Sequence, residues 1–498
     1  MAIINGTFLP DVLLGTGQDD TINGFGGADT IDGLGGNDEI HGGTGLDILT
    51  GGAGDDRIFG EEGDDEMYGD DGNDVLDGGT DAATLLSLYF GGAGNDLMIA
   101  SNGGVGEYFN GGSGVDTVSF ERRDAGVRVQ LSFRSLPLID TVQFTENVIG
   151  SRFADTITGD SSINVLRGIG GDDVLDGGAG GDVTDGGTGN DVHIVDNVGD
   201  VVIERAGEGN DRVLANLSYR LAADAEVELL SAANQAGTDG FDLAGNDFAQ
   251  SIIGDEGENL LEGMGGFDVL YGLGGNDVID GGTGEDVLRG GAGDDTYYVD
   301  AYGDIAIENA GEGTDRVLST SVYWLRPGNH VELLAAANQM GTENIHLRGN
   351  EFNNQLIGNQ ATNSLEGEGG DDQIWGLGGN DVFDGGLGND VLVGGEGRDR
   401  YIFSSELGAN NIDTLQDFER GDHISLSHLI FDTLGLGPIG SAAFVIGAAA
   451  READDRIIYD QDTGRIFYDA DGSGAGAAIQ FAQVSAGTVL TAGDFSVI

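Results

Sequence analysis

The sequence predicts an all-β solenoid: short strands joined by glycine-rich turns, with wider β inserts and a C-terminal β cap. Three observations predict it. Asp20, Asp29, Asp38, Asp47, Asp56, Asp65 and Asp74 follow one another at nine-residue intervals. An apolar residue stands two positions after each: Ile22, Ile31, Ile40, Leu49, Ile58, Met67 and Leu76. A glycine stands two positions before most of them, at Gly27, Gly36, Gly45, Gly54, Gly63 and Gly72. A disordered Gly/Asp linker needs no such hydrophobic register.

Each element of the repeat G-G-x-G-x-D-x-U-x has a physical role. The six residues to the aspartate form a turn, where glycine permits positive φ and close backbone approach. The last three form a strand whose middle residue faces inward. One repeat cannot bury that residue alone; stacked repeats bury a column of them. Stacking also brings the aspartates to roughly strand spacing, about 4.8 Å, where they repel. A hard cation between turns removes the repulsion. Carboxylates and carbonyls suit Ca²⁺; Mg²⁺ demands fewer protein ligands and stricter geometry.

Further along, the period returns at Asp155, Asp173, Asp182 and Asp191, at Asp268, Asp277, Asp286 and Asp295, and at Asp372, Asp381, Asp390 and Asp399. Asparagine takes the aspartate slot at Asn164, Asn259, Asn354 and Asn363. An amide can hydrogen-bond along a stack without charge, so these rungs are expected to bind metal weakly or not at all. The expected organisation is an N-terminal block over 1–82 and a β insert over 83–150 with isolated motifs at Asp96 and Asp116. A second block spans 151–191, an insert 192–253, a third block 254–295, an insert 296–357 and a fourth block 358–402. Residues 403–498 form the cap.

A longer repeat lies above the short one. "GGTGNDVHIVDNVGDVVIERAGEGNDRVL" from Gly186 matches "GGAGDDTYYVDAYGDIAIENAGEGTDRVL" from Gly290, an offset of 104. "VELLSAANQ" from Val227 matches "VELLAAANQ" from Val331 at the same offset. "DAEVELLSAANQ" can be read as helical, but the alternating strand-like stretches around it favour wider solenoid coils.

G-G-x-G-x-D-x-U-x over most of the chain resembles the repeats-in-toxin (RTX) hemolysin-type calcium-binding family. The resemblance implies a parallel β-roll in which two turns make one coil. It puts Asp20, Asp38, Asp56 and Asp74 on one side, and Asp29, Asp47 and Asp65 on the other. The expected Ca²⁺ ligands are these seven with Asp173, Asp182, Asp268, Asp277, Asp286, Asp295, Asp372, Asp381, Asp390 and Asp399. After Tyr401 the sequence resembles the C-terminal region of serralysin-type proteases, ending in Asp494, Phe495, Ser496, Val497 and Ile498. That implies an uncleaved signal for the type I secretion machinery and an extracellular destination. It agrees with the N-terminal "MAIINGTFLPDVLLGTG", which lacks a basic region and a long apolar stretch.

Composition narrows the function. The chain has 498 residues, 94 Gly, 88 acidic against 20 basic residues and a formal charge of -68. All basic residues are arginine and there is no cysteine. Such a charge opposes nucleic acid and an anionic membrane surface. No apolar stretch is long enough for membrane insertion. There is no His-Glu-x-x-His, no Gly-x-Ser-x-Gly, and no Cys or Lys nucleophile. His423 and His428, spaced i and i+5, would lie on opposite faces of a strand. Asp469–Gln480 partly fits an EF-hand loop, but its flanks are strand-like, which favours a hairpin turn. Arg122, Arg123, Arg128 and Arg134 form the one dense basic spot, read as a solvated face or internal charge partners. The expectation is a non-enzymatic, secreted protein that folds on extracellular Ca²⁺, with an adhesive, matrix or surface role toward cell surfaces or extracellular polysaccharide. The alternative is a polysaccharide hydrolase or epimerase with its site in the inserts.

Overall fold

The computed structural model describes residues 1–81, 86–103, 106–131 and 140–498. The chain divides into two compact units: residues 1–235 with 243–251, and residues 236–242 with 252–498.

In the first unit the nine-residue repeat becomes a parallel coil of 18 residues. Ile22 pairs in register with Ile40, and Ile40 with Ile58. Ile31 pairs with Leu49, and Leu49 with Met67, in the opposing sheet. One sheet holds 11 strands, from Ile3–Asn5 to Val201–Ile203, and the sheet facing it at the N-terminal end holds 7. Strands alternate inside and outside, so every ninth residue points between the sheets. Ile22, Ile31, Ile40, Leu49, Ile58, Met67 and Leu76 are fully buried there. Burying one such side chain contributes about 1.5–3 kcal/mol. One repeat supplies a single buried aliphatic, so the roll is stable only as a stack.

The turn glycines are required at defined places. Gly45 has φ +151, and a Cβ there would lie 1.5 Å from the Gly27 carbonyl oxygen of the coil below. Any side chain at this position would separate the coils.

The inserts are wider coils of the same solenoid. In the first unit Val192–Val195 pairs in parallel with Arg212–Ala215, which pairs with Leu229–Ala232. In the second unit Thr296–Val299, Arg316–Ser319 and Leu333–Ala336 repeat that arrangement 104 residues on. Within the stretch that could be read as helical, Leu229–Ala232 forms a strand, as Leu333–Ala336 does in the second copy, because Leu230 and Leu334 are needed between the sheets. Asn246 closes the first insert by donating to the carbonyls of Ala222 at 2.8 Å and Ala225 at 2.7 Å. Asn350 does the same for Arg326 and Asn329.

Antiparallel pairing enters only in the C-terminal cap among the described residues. Ile457–Asp460, Arg465–Tyr468 and Ile479–Val484 form a meander. The final strand, Phe495–Val497, adds in parallel to His423–Leu426. Phe403, Phe431, Tyr468 and Phe481 pack edge-to-face beneath it. The cap covers the last apolar rung, which would otherwise be exposed. Among the described residues no helix is long and apolar enough to cross a membrane.

Candidate calcium sites

Most repeat aspartates use one oxygen as a cap and leave the other buried without a partner. Asp38 Oδ1 accepts the backbone N–H of Asp20 at 2.7 Å, and Asp56 Oδ1 that of Asp38 at 2.7 Å. The second line runs from Asp29 to Asp47 to Asp65, at 2.8 and 2.9 Å. These are the two sides that the resemblance to the RTX family implies. The same step joins Asp173 to Asp191, Asp268 to Asp286, Asp277 to Asp295, Asp372 to Asp390 and Asp381 to Asp399.

The second oxygen, Oδ2, is buried without a hydrogen-bond partner at Asp29, Asp38, Asp47, Asp56, Asp65, Asp74, Asp173, Asp182, Asp277, Asp286, Asp295, Asp372, Asp381 and Asp390. It folds back over the first glycine of its own turn: a Cβ on Gly51 would lie 2.3 Å from Asp56 Oδ2. This explains the first glycine of the motif, as the close coil contact explains the third. Burial, and then the neighbouring carboxylates, push Asp47 and Asp56 up to about 6, Asp74 to about 7 and Asp65 to about 8. A buried carboxylate with an unused oxygen needs a proton or a cation. A hard divalent cation among these oxygens and the turn carbonyls fits the donor set.

Asp20 differs. Its Oδ2 accepts from the Thr16 hydroxyl at 2.7 Å and the Thr16 N–H at 2.8 Å. Ser151 satisfies Asp155 with its N–H to Oδ2 at 2.6 Å and its hydroxyl to Oδ1 at 2.9 Å. A hydroxyl residue at the second turn position thus satisfies the entry carboxylate of a block without a cation.

The ladder extends beyond the residues the period identifies. Asp74 is capped by Asp96, Asp96 by Asp116, and Asp116 by Glu146. Asp96 and Asp116, read in the sequence as isolated motifs, continue one line; longer loops between them hide the period. Asp413 and Asp422, past the last repeat, cap Asp390 and Asp399.

Two buried trios stand out: Asp191, Glu204 and Asp211, and Asp295, Glu308 and Asp315. One carboxylate oxygen from each residue lies within 4.8 Å of the others in the same trio. Glu204 Oε2 and Glu308 Oε2 have no hydrogen-bond partner. Glu204 Oε1 sits 2.6 Å from His193 Nε2, whose Nδ1 is 2.7 Å from the Thr184 hydroxyl. In the second trio Tyr297 donates to Glu308 Oε1. Burial pushes Glu204 up to about 8 and Glu308 to about 9. Sequence reasoning missed the glutamates and Asp211 and Asp315. The signal was available in "GDVVIE" against "GDIAIE" and "GEGNDRV" against "GEGTDRV", which keep every acid at the 104-residue offset.

The asparagine rungs divide into two kinds. Asn259 Nδ2 donates to the carbonyls of Asp255 at 3.0 Å and Gly257 at 2.8 Å, and to Asp277 Oδ1 at 3.0 Å. Asn363 Nδ2 repeats this with Asn359, Ala361 and Asp381. The amide nitrogen stands among turn carbonyls and the next coil's carboxylate, where a cation would otherwise bind. Asn164 and Asn354 instead turn their amides to the Glu146 and Val331 carbonyls of the preceding coil.

The remaining candidates are structural in their contacts. Arg122 pairs with Asp77, and Arg123 with Glu107 and Asp140. Arg128 is exposed, and Arg134 lies outside the described residues. His423 Nε2 lies 2.7 Å from the Ser496 hydroxyl, and His428 donates its backbone N–H to Ile498. Asp469–Gln480 connects two antiparallel strands rather than two helices.

A parallel solenoid whose turns carry stacked, half-satisfied carboxylates defines the class: a calcium-binding β-roll. The family model of the RTX calcium-binding nonapeptide repeat (4 copies) matches residues 5–40, 32–67, 41–76, 50–85, 158–192, 253–288, 271–301, 348–383 and 366–401. Through these segments the chain carries RTX calcium-binding nonapeptide repeats, and repeats of this kind imply several bound Ca²⁺ ions. No curated protein matches it.

Proposed function

We propose that this is a secreted, non-enzymatic protein that folds when extracellular Ca²⁺ binds its aspartate ladder, and that its role outside the cell is adhesive or matrix-forming. The ligands are the repeat aspartates named from the sequence, except Asp20, whose oxygens are already satisfied. Export follows the type I route through the C-terminal region, before folding. Phe495 and Val497 are buried in the final strand, so a signal there is readable only in the unfolded chain.

One observation carries the reading: the buried second oxygen without a partner, repeated rung after rung in both units. At low Ca²⁺ the formal charge of -68 opposes compaction. At higher Ca²⁺, binding to the folded state alone stabilises it by mass action. The buried insert carboxylates Glu204, Asp211, Glu308 and Asp315 are engaged in the trios and in capping, which supports a binding rather than a hydrolytic role.

Far-UV circular dichroism of the purified chain during a Ca²⁺ titration, with Mg²⁺ as control, tests this. A cooperative gain of β signal with Ca²⁺ and little with Mg²⁺ is expected. A chain fully folded in chelator at neutral pH would overturn the reading.

A further inference from the structure

The second unit carries a surface groove of about 770 Å³ that the calcium sites do not use. Its lining includes Tyr302, Trp324, Arg326, Arg348, Glu351 and Glu368. Tyr302 is 62% exposed and Trp324 37%. Their rings meet edge-to-face, with centroids 5.0 Å apart. The Arg348 guanidinium lies 5.5 Å from the Trp324 ring centroid and bonds Glu368. Glu351 Oε1 accepts the Gly328 N–H at 2.8 Å, which holds the loop bearing Arg326. Arg326 is exposed, with no ion-pair partner among the described residues.

The duplicated module provides an internal control. At the 104-residue offset the buried residues are kept: Tyr323 matches Tyr219, Leu325 matches Leu221 and Asn350 matches Asn246. The exposed aromatic and arginine residues of the groove are not, although Asp304 and Glu351 keep an acid, matching Asp200 and Asp247. Tyr302, Trp324, Arg326, Arg348 and Glu368 stand where the first copy has Val198, Arg220, Ala222, Ala244 and Met264. The solenoid therefore forms without them, and they need another explanation.

We propose that this groove binds a neutral glycan chain. Exposed aromatic rings offer flat apolar surface to the C–H faces of sugar rings. Sugar hydroxyls both donate and accept, which suits adjoining guanidinium and carboxylate groups. Two arginines face Asp304, Glu351 and Glu368 in the lining, on a chain of charge -68, so a polyanionic polysaccharide is repelled. The groove volume falls in the ordinary range for ligand sites. Successive coils, about 4.8 Å apart, step along it at close to the length of one sugar unit. The inference rests on the extracellular role proposed above.

The chain has two tryptophans, Trp324 and Trp375. In Ca²⁺-loaded Trp375→Phe protein, shown folded by circular dichroism, Trp324 fluorescence reports on the groove directly. Titration with neutral gluco-, manno- and galacto-oligosaccharides is expected to give a saturable change with at least one of them. Tyr302→Ala and Arg326→Ala in this background are expected to weaken binding at least tenfold with circular dichroism unchanged. A folded protein that binds none of these sugars, prefers alginate or a peptide library, or binds equally well after both substitutions would overturn the proposal. A chain that fails to fold in Ca²⁺ would overturn the calcium reading, and this inference with it.

Discussion

The modules beginning at Gly186 and Gly290 have the same coil widths, the same strand register and the same trio of buried acids. They differ in how the glutamate is held and in what faces solvent. His193, kept neutral by burial, bridges Thr184 and Glu204 in the first. Tyr297 bridges the Gly290 N–H and Glu308 in the second. Two unlike side chains thus act alike. Each reaches across the coil and fixes one glutamate oxygen, leaving the other oxygen buried without a partner. The comparison separates what the solenoid requires, the acids and the apolar column, from what it tolerates, the outward positions that differ between the copies and line the groove in the second.

The largest effect is expected from pH in chelator, which acts on both modules at once. Burial first, and like charge second, hold Asp65, Asp173 and Asp372 at about 8 in the fold against an ordinary value of 3.8. The folded chain therefore binds protons more tightly than the unfolded one. Metal-free stability is fully present below pH 3.8 and is lost as pH rises toward 8. Circular dichroism in chelator should show β structure near pH 4 and its loss by pH 8. A Ca²⁺-free fold insensitive to pH would mean the carboxylates are compensated by other means.

Next come Glu204→Gln and Glu308→Gln. Each should remove one bound Ca²⁺ by equilibrium dialysis and raise the Ca²⁺ midpoint of folding about tenfold, or ~1.4 kcal/mol. Equal effects would confirm that histidine and tyrosine are interchangeable supports. An effect in one copy alone would break the comparison.

The smallest shift is expected at the asparagine rungs. Asn259→Asp and Asn363→Asp replace the amide with a carboxylate and free the surrounding carbonyls. Each variant should gain one Ca²⁺ and lose about 1 kcal/mol in chelator at acid pH, read from the urea midpoint. The same change at Asn164 or Asn354, whose amides point elsewhere, should add no ion. An added ion at all four positions would remove the distinction between the two kinds of rung.

The sequence by itself determined the repeating architecture. A nine-residue period fixes the turn and the inward residue, because each is a local consequence of spacing, while the two lines of aspartates followed from the resemblance to the RTX family. The 104-residue offset likewise made the duplicated inserts visible, and the alternating stretches around "DAEVELLSAANQ" gave the preference for strand over helix there. What remained hidden depends on closure of the coil. Asp191, Glu204 and Asp211 are 13 and 7 residues apart in the chain and meet only when a wide coil returns over a narrow one. Asp96 and Asp116 rejoin the ladder because loops of unequal length still deliver a carboxyl to the same N–H. The division among the asparagines follows from side-chain rotation against the neighbouring coil. Position along the chain set which groups recur; only packing between coils decided which oxygens are left without a partner, and those are the oxygens that call for a cation.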